Sequence, residues 1–204
     1  MKDIKLTAVG QPLQRKEDIR LMKGEGRFSD DQCSPDQVWA WMVRSPHPHA
    51  KIVRIDKSAA LKMPGVLGVF TGADCLAAGL KPINHSPVPA TQDDVKLRGR
   101  GDTDVFVGRH HLLPADKARF VGEAVAMVVA STREEAFLAS VAVDVEYEVL
   151  PFVIDTELAA QAHSPAVWDE LEDNVLVDSS YGDEEAVSAA FAAAAHVVSL
   201  KTHI

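Results

Sequence analysis

Several things are scarce in this 204-residue chain, and each scarcity excludes something. No stretch approaches the ~18 consecutive apolar residues of a membrane-spanning helix. The opening Met1-Lys2-Asp3-Ile4-Lys5-Leu6 lacks the apolar core and small-residue cleavage site of a secretion signal, so a cytoplasmic location is expected. There are only two cysteines, Cys33 and Cys75, in no paired spacing; in a reducing compartment they read as free thiols. Without a C-x-x-C pair, no iron–sulfur cluster is expected on this chain. Neither a Walker loop nor a nucleophile elbow is present.

Basic residues are scarce in one region. Residues 1–150 balance their charges, whereas residues 151–204 hold Lys201 as their one Lys or Arg against ten acids, which accounts for the whole formal charge of -9. That shift marks a change of structural role near Pro151 and excludes nucleic acid as a partner, since phosphate contacts require a basic surface. The 47% hydrophobic and 25% charged content is ordinary for a globular protein. A chain this long buries roughly 70% of its unfolded surface without help from disulfides or metals.

What is present suggests a mixed α+β domain. Residues 1–27 are punctuated by Gly10, Pro12, Gly24 and Gly26 and read as extended or irregular. The apolar run Val38–Val43 predicts a buried strand, and Lys51–Asp56 a second one whose alternation is broken by the adjacent Ile52 and Val53. Between them, Pro46 and Pro48 forbid regular pairing. A short helix over Ser58–Met63 and a strand over Val66–Phe70 follow. Thr71 then caps a helix that Gly79 ends. Residues 81–111 read as a long surface excursion of the kind that binds partners.

The clearest unit is Val125–Ala130 as a central strand, a Ser131-Thr132 cap with Glu134-Glu135 at capping-box spacing, a helix to Val143, and a strand over Asp144–Val149. Beyond Pro151 an acidic segment reads as a wrapping linker. It leads to a helix from Gly182 to Ala195 and a strand opening at Val197–Leu200.

Chemistry-bearing candidates are few. His47 and His49 share a strand face, but Pro48 intervenes and no third ligand is evident, so a structural turn is favoured over a metal pair. Glu123, just ahead of an apolar strand, reads as a hydrogen-bonding carboxylate rather than a catalytic base, for want of a nucleophile beside it. Adjacent His110 and His111 suggest surface or partner contacts. Gly24-Glu25-Gly26 lacks the preceding strand of a dinucleotide fingerprint. Arg98-Gly99-Arg100-Gly101 reads as a solvated loop more than an anion cradle.

Several segments, in this order, resemble one family. They are Gly10-Gln11-Pro12-Leu13-Gln14-Arg15-Lys16-Glu17-Asp18, Arg20–Phe28 with Asp30-Asp31, Val43-Arg44-Ser45-Pro46-His47-Pro48-His49-Ala50, and Pro64-Gly65-Val66. Thr71-Gly72-Ala73-Asp74, Phe120-Val121-Gly122-Glu123-Ala124, Tyr147–Pro151, and Gly182-Asp183 with the helix to His196 complete the set. The chain resembles the amino-terminal region of large subunits in the xanthine dehydrogenase, aldehyde oxidase and carbon monoxide dehydrogenase family. Its opening R-x-E-D segment is more similar to the bacterial carbon monoxide dehydrogenase-like branch.

The resemblance implies an α/β hammerhead domain over residues 24–151, an extended arm over 1–23, and an acidic linker, helix and truncated start of a molybdenum-cofactor domain over 152–204. It also implies a molybdopterin-type molybdenum cofactor, FAD and 2Fe-2S clusters in an intact assembly. The implied partners are the rest of the molybdenum-binding part, an FAD subunit and an iron–sulfur subunit, with the assembly itself able to pair as a homodimer. The family's molybdenum-site residues have no counterpart here, so no residue is assigned to catalysis, cofactor or metal. The motif and interface candidates are Arg15, Glu17, Asp18, Arg44, Ser45, His47, His49, Val121, Gly122 and Glu123. The expected role is scaffold and interface. The alternatives are a free-standing hammerhead module and, last, a small enzyme using Glu123, His47 or His49.

Overall fold

A computed structural model describes residues 12–83 and 96–202. Gly10 and Gln11 of the opening motif, the middle of the 81–111 excursion and the last two residues lie outside the described residues. The chain divides into two compact units, Met1–Val38 and Trp39–Ile204.

The smaller unit contains helix α1 (Asp18–Met22), where sequence alone suggested irregular chain. One turn forms because Asp18 pairs with Arg15 at its amino end (2.9 Å), with Arg20 in its last turn and Gly24 beyond it. None of its residues is buried.

The larger unit is built on two three-stranded antiparallel sheets. In the first, β5 (Ala124–Ala130) lies between β1 (Trp39–Arg44) and β3 (Val66–Thr71). In the second, β2 (Ala50–Asp56) lies between the two-residue β4 (Lys117–Ala118) and β6 (Asp144–Val149). Helix α3 (Arg133–Val141) connects β5 to β6, so the strand–helix–strand unit predicted from sequence joins the two sheets. Its core is shared: Ala60, Val69, Val128, Ala139 and Val143 are buried together, with Ile55 and Val145 packed against them.

The elements start where local chemistry dictates. Thr71 and Asp74 cap α2 (Gly72–Ala77) reciprocally, and Thr132 and Glu135 do the same for α3. Gly79 follows α2 with φ +73°, a conformation that favours glycine. Lys57 Nζ reaches both the Val69 carbonyl (3.2 Å) and Asp74 (2.7 Å), tying the end of β2 to β3 and α2. The broken alternation of β2 has a physical cause. A bulge between Ile52 and Arg54 leaves Val53 unpaired and 55% exposed, which returns Ile52 and Ile55 to the same face.

Four expectations are corrected. The first strand starts at Trp39, lies at a sheet edge and alternates between half-buried and exposed residues; only the face toward α3 is covered. The helix over Ser58–Met63 shrinks to a single 3-10 turn at Ala60–Lys62, closed by Pro64. Val197–Leu200 forms no strand and joins neither sheet. Finally, the acidic segment after Pro151 contains a short helix α4 (Thr156–Ala159), capped by Asp155. Helix α5 (Glu184–Ala193) forms as predicted, but it buries none of its residues.

On the far side of the first sheet, Met42, Phe70 and Met127 line an open apolar groove of about 770 Å³ with Leu61, Leu67 and Leu113. At one edge, Gly72 lies against the Pro114–Ala115 backbone, where an added Cβ would overlap the Pro114 carbonyl. Gly72→Ala should therefore destabilise the fold by about 1–3 kcal/mol, read as a lower urea midpoint at unchanged slope. An unchanged midpoint would mean that this backbone contact does not constrain the fold.

Candidate functional site

The turn between β1 and β2 contains two prolines, which donate no hydrogen bonds. Ser45 makes up the shortfall. It is buried, its N–H donates to the Glu123 carbonyl (2.9 Å), and its carbonyl accepts from the Gly122 N–H (2.7 Å). Its hydroxyl lies 3.1 Å from both the His47 carbonyl and the His47 N–H. Arg44 Nη1 donates to the Gly122 carbonyl at 2.7 Å. The two family-like segments, 43–50 and 120–124, are thus clasped backbone to backbone.

Glu123 closes the turn after β4. Its carboxylate accepts the Arg119 N–H (2.6 Å), and its own N–H donates to the Phe120 carbonyl (3.2 Å). Burial pushes the Glu123 pKa up and the Asp116 charge adds to the rise, while the Arg119 N–H, the Arg119 charge and His110 act against it. This is the hydrogen-bonding role expected from sequence.

His47 meets the Tyr147 ring edge-on, with centroids 5.1 Å apart. Burial raises the Tyr147 pKa; the neighbouring Ser45 hydroxyl opposes this, although the Tyr147 hydroxyl has no well-formed hydrogen bond among the described residues. His49 is 6% exposed, with Nδ1 3.0 Å from the Pro151 carbonyl. A carbonyl only accepts, so Nδ1 carries a hydrogen, while Nε2 is buried without a hydrogen-bond partner among the described residues.

The acidic segment folds over this region. Trp168 receives the Arg119 guanidinium on its face (4.4 Å) and tilts against Phe106 (5.6 Å). It lies flat on Gly108, where a Cβ would overlap the indole. Lys117 Nζ holds both Asp169 oxygens at 2.5 and 2.6 Å, and Arg100 pairs with Asp173. Asn174 staples the segment from within, bonding Val167, Ala159 and Pro165. Arg98 is occupied by Asp102 and Asp104, so the suspected anion cradle is already neutralised by its own chain.

The structure brings Arg44, Ser45, His47, His49, Gly122 and Glu123 into one junction, with Val121 exposed at its rim. Arg15, Glu17 and Asp18 belong to the smaller unit, where Arg15 and Asp18 pair and the Glu17 carbonyl accepts the Leu21 N–H. Sequence reasoning missed Lys117, Arg119, Trp168 and Asp169. The available signals were the basic Lys117-Ala118-Arg119 and an isolated Trp168-Asp169 in an acidic stretch. Among the described residues, no group of three or more His, Cys, Asp or Glu side chains is placed to hold a metal ion. The Ser45 and Gly122 backbone groups and the Arg44 and Glu123 side chains are engaged within the junction, and with no ligating cluster among the described residues these residues do not fit a molybdenum or pterin group.

A family model described as aldehyde oxidase and xanthine dehydrogenase, a/b hammerhead domain, matches residues 23–151. The chain is 33% identical over 202 residues to the carbon monoxide dehydrogenase large chain of Afipia carboxidovorans, covering 93% of this chain and 23% of that one. It is 36% identical to the nicotine 6-hydroxylase large subunit of Paenarthrobacter nicotinovorans, covering 96% and 22%. Among solved structures, quinoline 2-oxidoreductase from Pseudomonas putida 86 superposes with a TM-score of 0.65 at 36% identity, over 80% of this chain and 19% of that one. The Cu,Mo-CO dehydrogenase in its carbon monoxide reduced state gives 0.66 at 30% identity, over 92% and 23%. The chain spans about a fifth of the length of these relatives.

Two outcomes are expected at the junction. Glu123 has a folded pKa above its ordinary 4.5, so its contribution to stability is present below that value and is lost as pH rises through the folded pKa. Glu123→Gln should flatten that decline in urea midpoints measured across mildly acid to neutral pH; an unchanged profile would mean the carboxylate is not desolvated. Tyr147→Phe removes a buried hydroxyl without a well-formed partner, so stability should stay within about 0.5 kcal/mol or rise. A larger loss would reveal a hydrogen bond to that hydroxyl.

Proposed function

The chain belongs to the aldehyde oxidase and xanthine dehydrogenase family through its a/b hammerhead domain, and on that premise we propose that it is the scaffold and interface portion of a molybdenum hydroxylase large subunit. The observation that carries the proposal is the clasp at Ser45. Residues from two family-like segments spend backbone and side-chain polar groups on each other, which braces a fold.

Helix α5 supports the same reading. Val187 and Phe191 are 53% and 60% exposed, and a ten-residue helix without packing is marginal in water. Such a helix favours docking onto a larger body over a free-standing module. In this proposal the hammerhead domain covers residues 24–151, with an arm before it and the acidic linker after it. The partners are the rest of the molybdenum-binding part, an FAD subunit and an iron–sulfur subunit. The molybdenum cofactor, FAD and 2Fe-2S clusters reside in those partners, where the oxidation chemistry takes place.

The test is to isolate the tagged chain gently from its native cells and measure molybdenum and iron per chain. Near-stoichiometric metal is expected, falling several-fold when residues 1–27 are deleted if the arm holds the assembly together. A soluble, folded chain that carries neither metal would overturn the proposal.

A further inference from the structure

Strand β1 is an edge strand of the first sheet, paired with β5 on one side alone. Every second residue of such a strand turns its N–H and C=O away from the sheet. Among the described residues, nothing outside the β1–β5 pairing bonds the backbone of Trp39–Val43. Edge strands are ordinarily blunted by lysine, proline or a bulge. Trp39–Val43 contains neither residue, and the bulge of β1 falls after it, between Val43 and Arg44.

An open trough of about 600 Å³ runs along this edge. Its floor is the consecutive run Ala40–Arg44, and its wall is Phe137, Ser140 and Val141 of α3. No residue of β5 lines it, so it lies on the unpaired side of β1. The wall is largely apolar and uncovered: Phe137, in a T-shaped contact with Trp41 at 5.1 Å between centroids, is 45% exposed, and Val141 is 72% exposed. An apolar wall beside an unpaired strand edge suits an extended chain that adds itself as a strand, because the edge supplies backbone bonds and the trough receives alternate side chains. Charge then selects the chain. The Arg133 guanidinium stands over the Trp41 ring (5.9 Å), and the Arg44 guanidinium lies at the end of the strand on the Gly122 carbonyl (2.7 Å). Neither has a carboxylate partner among the described residues. A second copy of β1 contains no acid, so it would leave both cations unmatched and add an arginine of its own.

We propose that the outer edge of β1 docks an extended segment of another polypeptide, apolar in its middle and acidic at both ends. The segment's backbone extends the three-stranded sheet by one strand. Its apolar side chains pack on Trp41, Phe137 and Val141, and its carboxylates meet Arg133 and Arg44. Occupancy of this edge does not depend on the assembly role above.

The test titrates the full chain with end-capped synthetic peptides of about seven residues, long enough to span the six residues of β1. One alternates valine and threonine between terminal glutamates. Another carries lysines at the ends instead, and a further one repeats the glutamate sequence with alternate backbone nitrogens methylated. Heat of binding gives the affinity, and amide hydrogen exchange over Trp39–Arg44 shows where the peptide lies. The glutamate peptide should protect the amides of β1 and bind about tenfold more tightly than the lysine peptide, the size of two exposed ion pairs. The methylated peptide should not bind. Arg133→Glu, at an exposed position in the first turn of α3 and folded by circular dichroism, should bring the glutamate and lysine peptides to within about twofold of each other. No binding of the glutamate peptide, binding that leaves β1 unprotected, equal affinity for the glutamate and lysine peptides in the parent chain, or undiminished binding of the methylated peptide would overturn the proposal. So would protection of β1 that grows with chain concentration in the absence of peptide, which would assign the edge to a second copy.

Discussion

The larger unit depends on one strand that is paired along both edges and small enough for a helix to pack closely on it. In β5, Val125, Ala126, Val128 and Ala130 are fully buried, and both neighbouring strands hydrogen-bond to it. The fully buried residues are almost all alanine and valine, and Val125, Val128 and Ser45 are the largest of them. Small side chains let α3 and the sheets approach closely, so the stability of this core comes from contact density more than from the bulk of any one side chain. The Ser45–Gly122–Glu123 clasp extends this logic past the end of β5, continuing a ladder through a turn where proline would otherwise leave backbone groups unpaired.

Much of this was legible because its causes are local. Thr71 with Asp74 and Thr132 with Glu135 are capping boxes written within four residues, and the structure forms both. The apolar run of β5 and the alternation of β6 identified strands. The bulge at Val53 explains why the alternation of β2 looked faulty, since a period of two fails wherever an extra residue is inserted. The family resemblance was legible as an ordered set of short motifs, none specific alone.

What was not legible depends on distance along the chain. The excess acid after Pro151 read as a wrapping linker, but not what it wraps: Asp169 and Asp173 find their cations 52 and 73 residues away at Lys117 and Arg100. Charge asymmetry revealed that those acids needed counterparts but not that the chain itself supplied them. Val197–Leu200 carries a strand-like pattern but joins neither sheet, and a strand exists only in the company of another. Arg119 and Trp168 escaped notice for a related reason: a guanidinium on an indole face has no signature in sequence spacing.

The seat of Trp168 on Gly108 has a further consequence. The indole occupies the space where any other residue would place its first side-chain carbon, so the absence of a side chain at one position is the binding surface for the largest side chain at another. Across descendants of this chain, the two positions can drift only as a pair. A lineage that acquires a side chain at 108 must surrender the tryptophan, and one that loses the tryptophan releases 108 from its constraint.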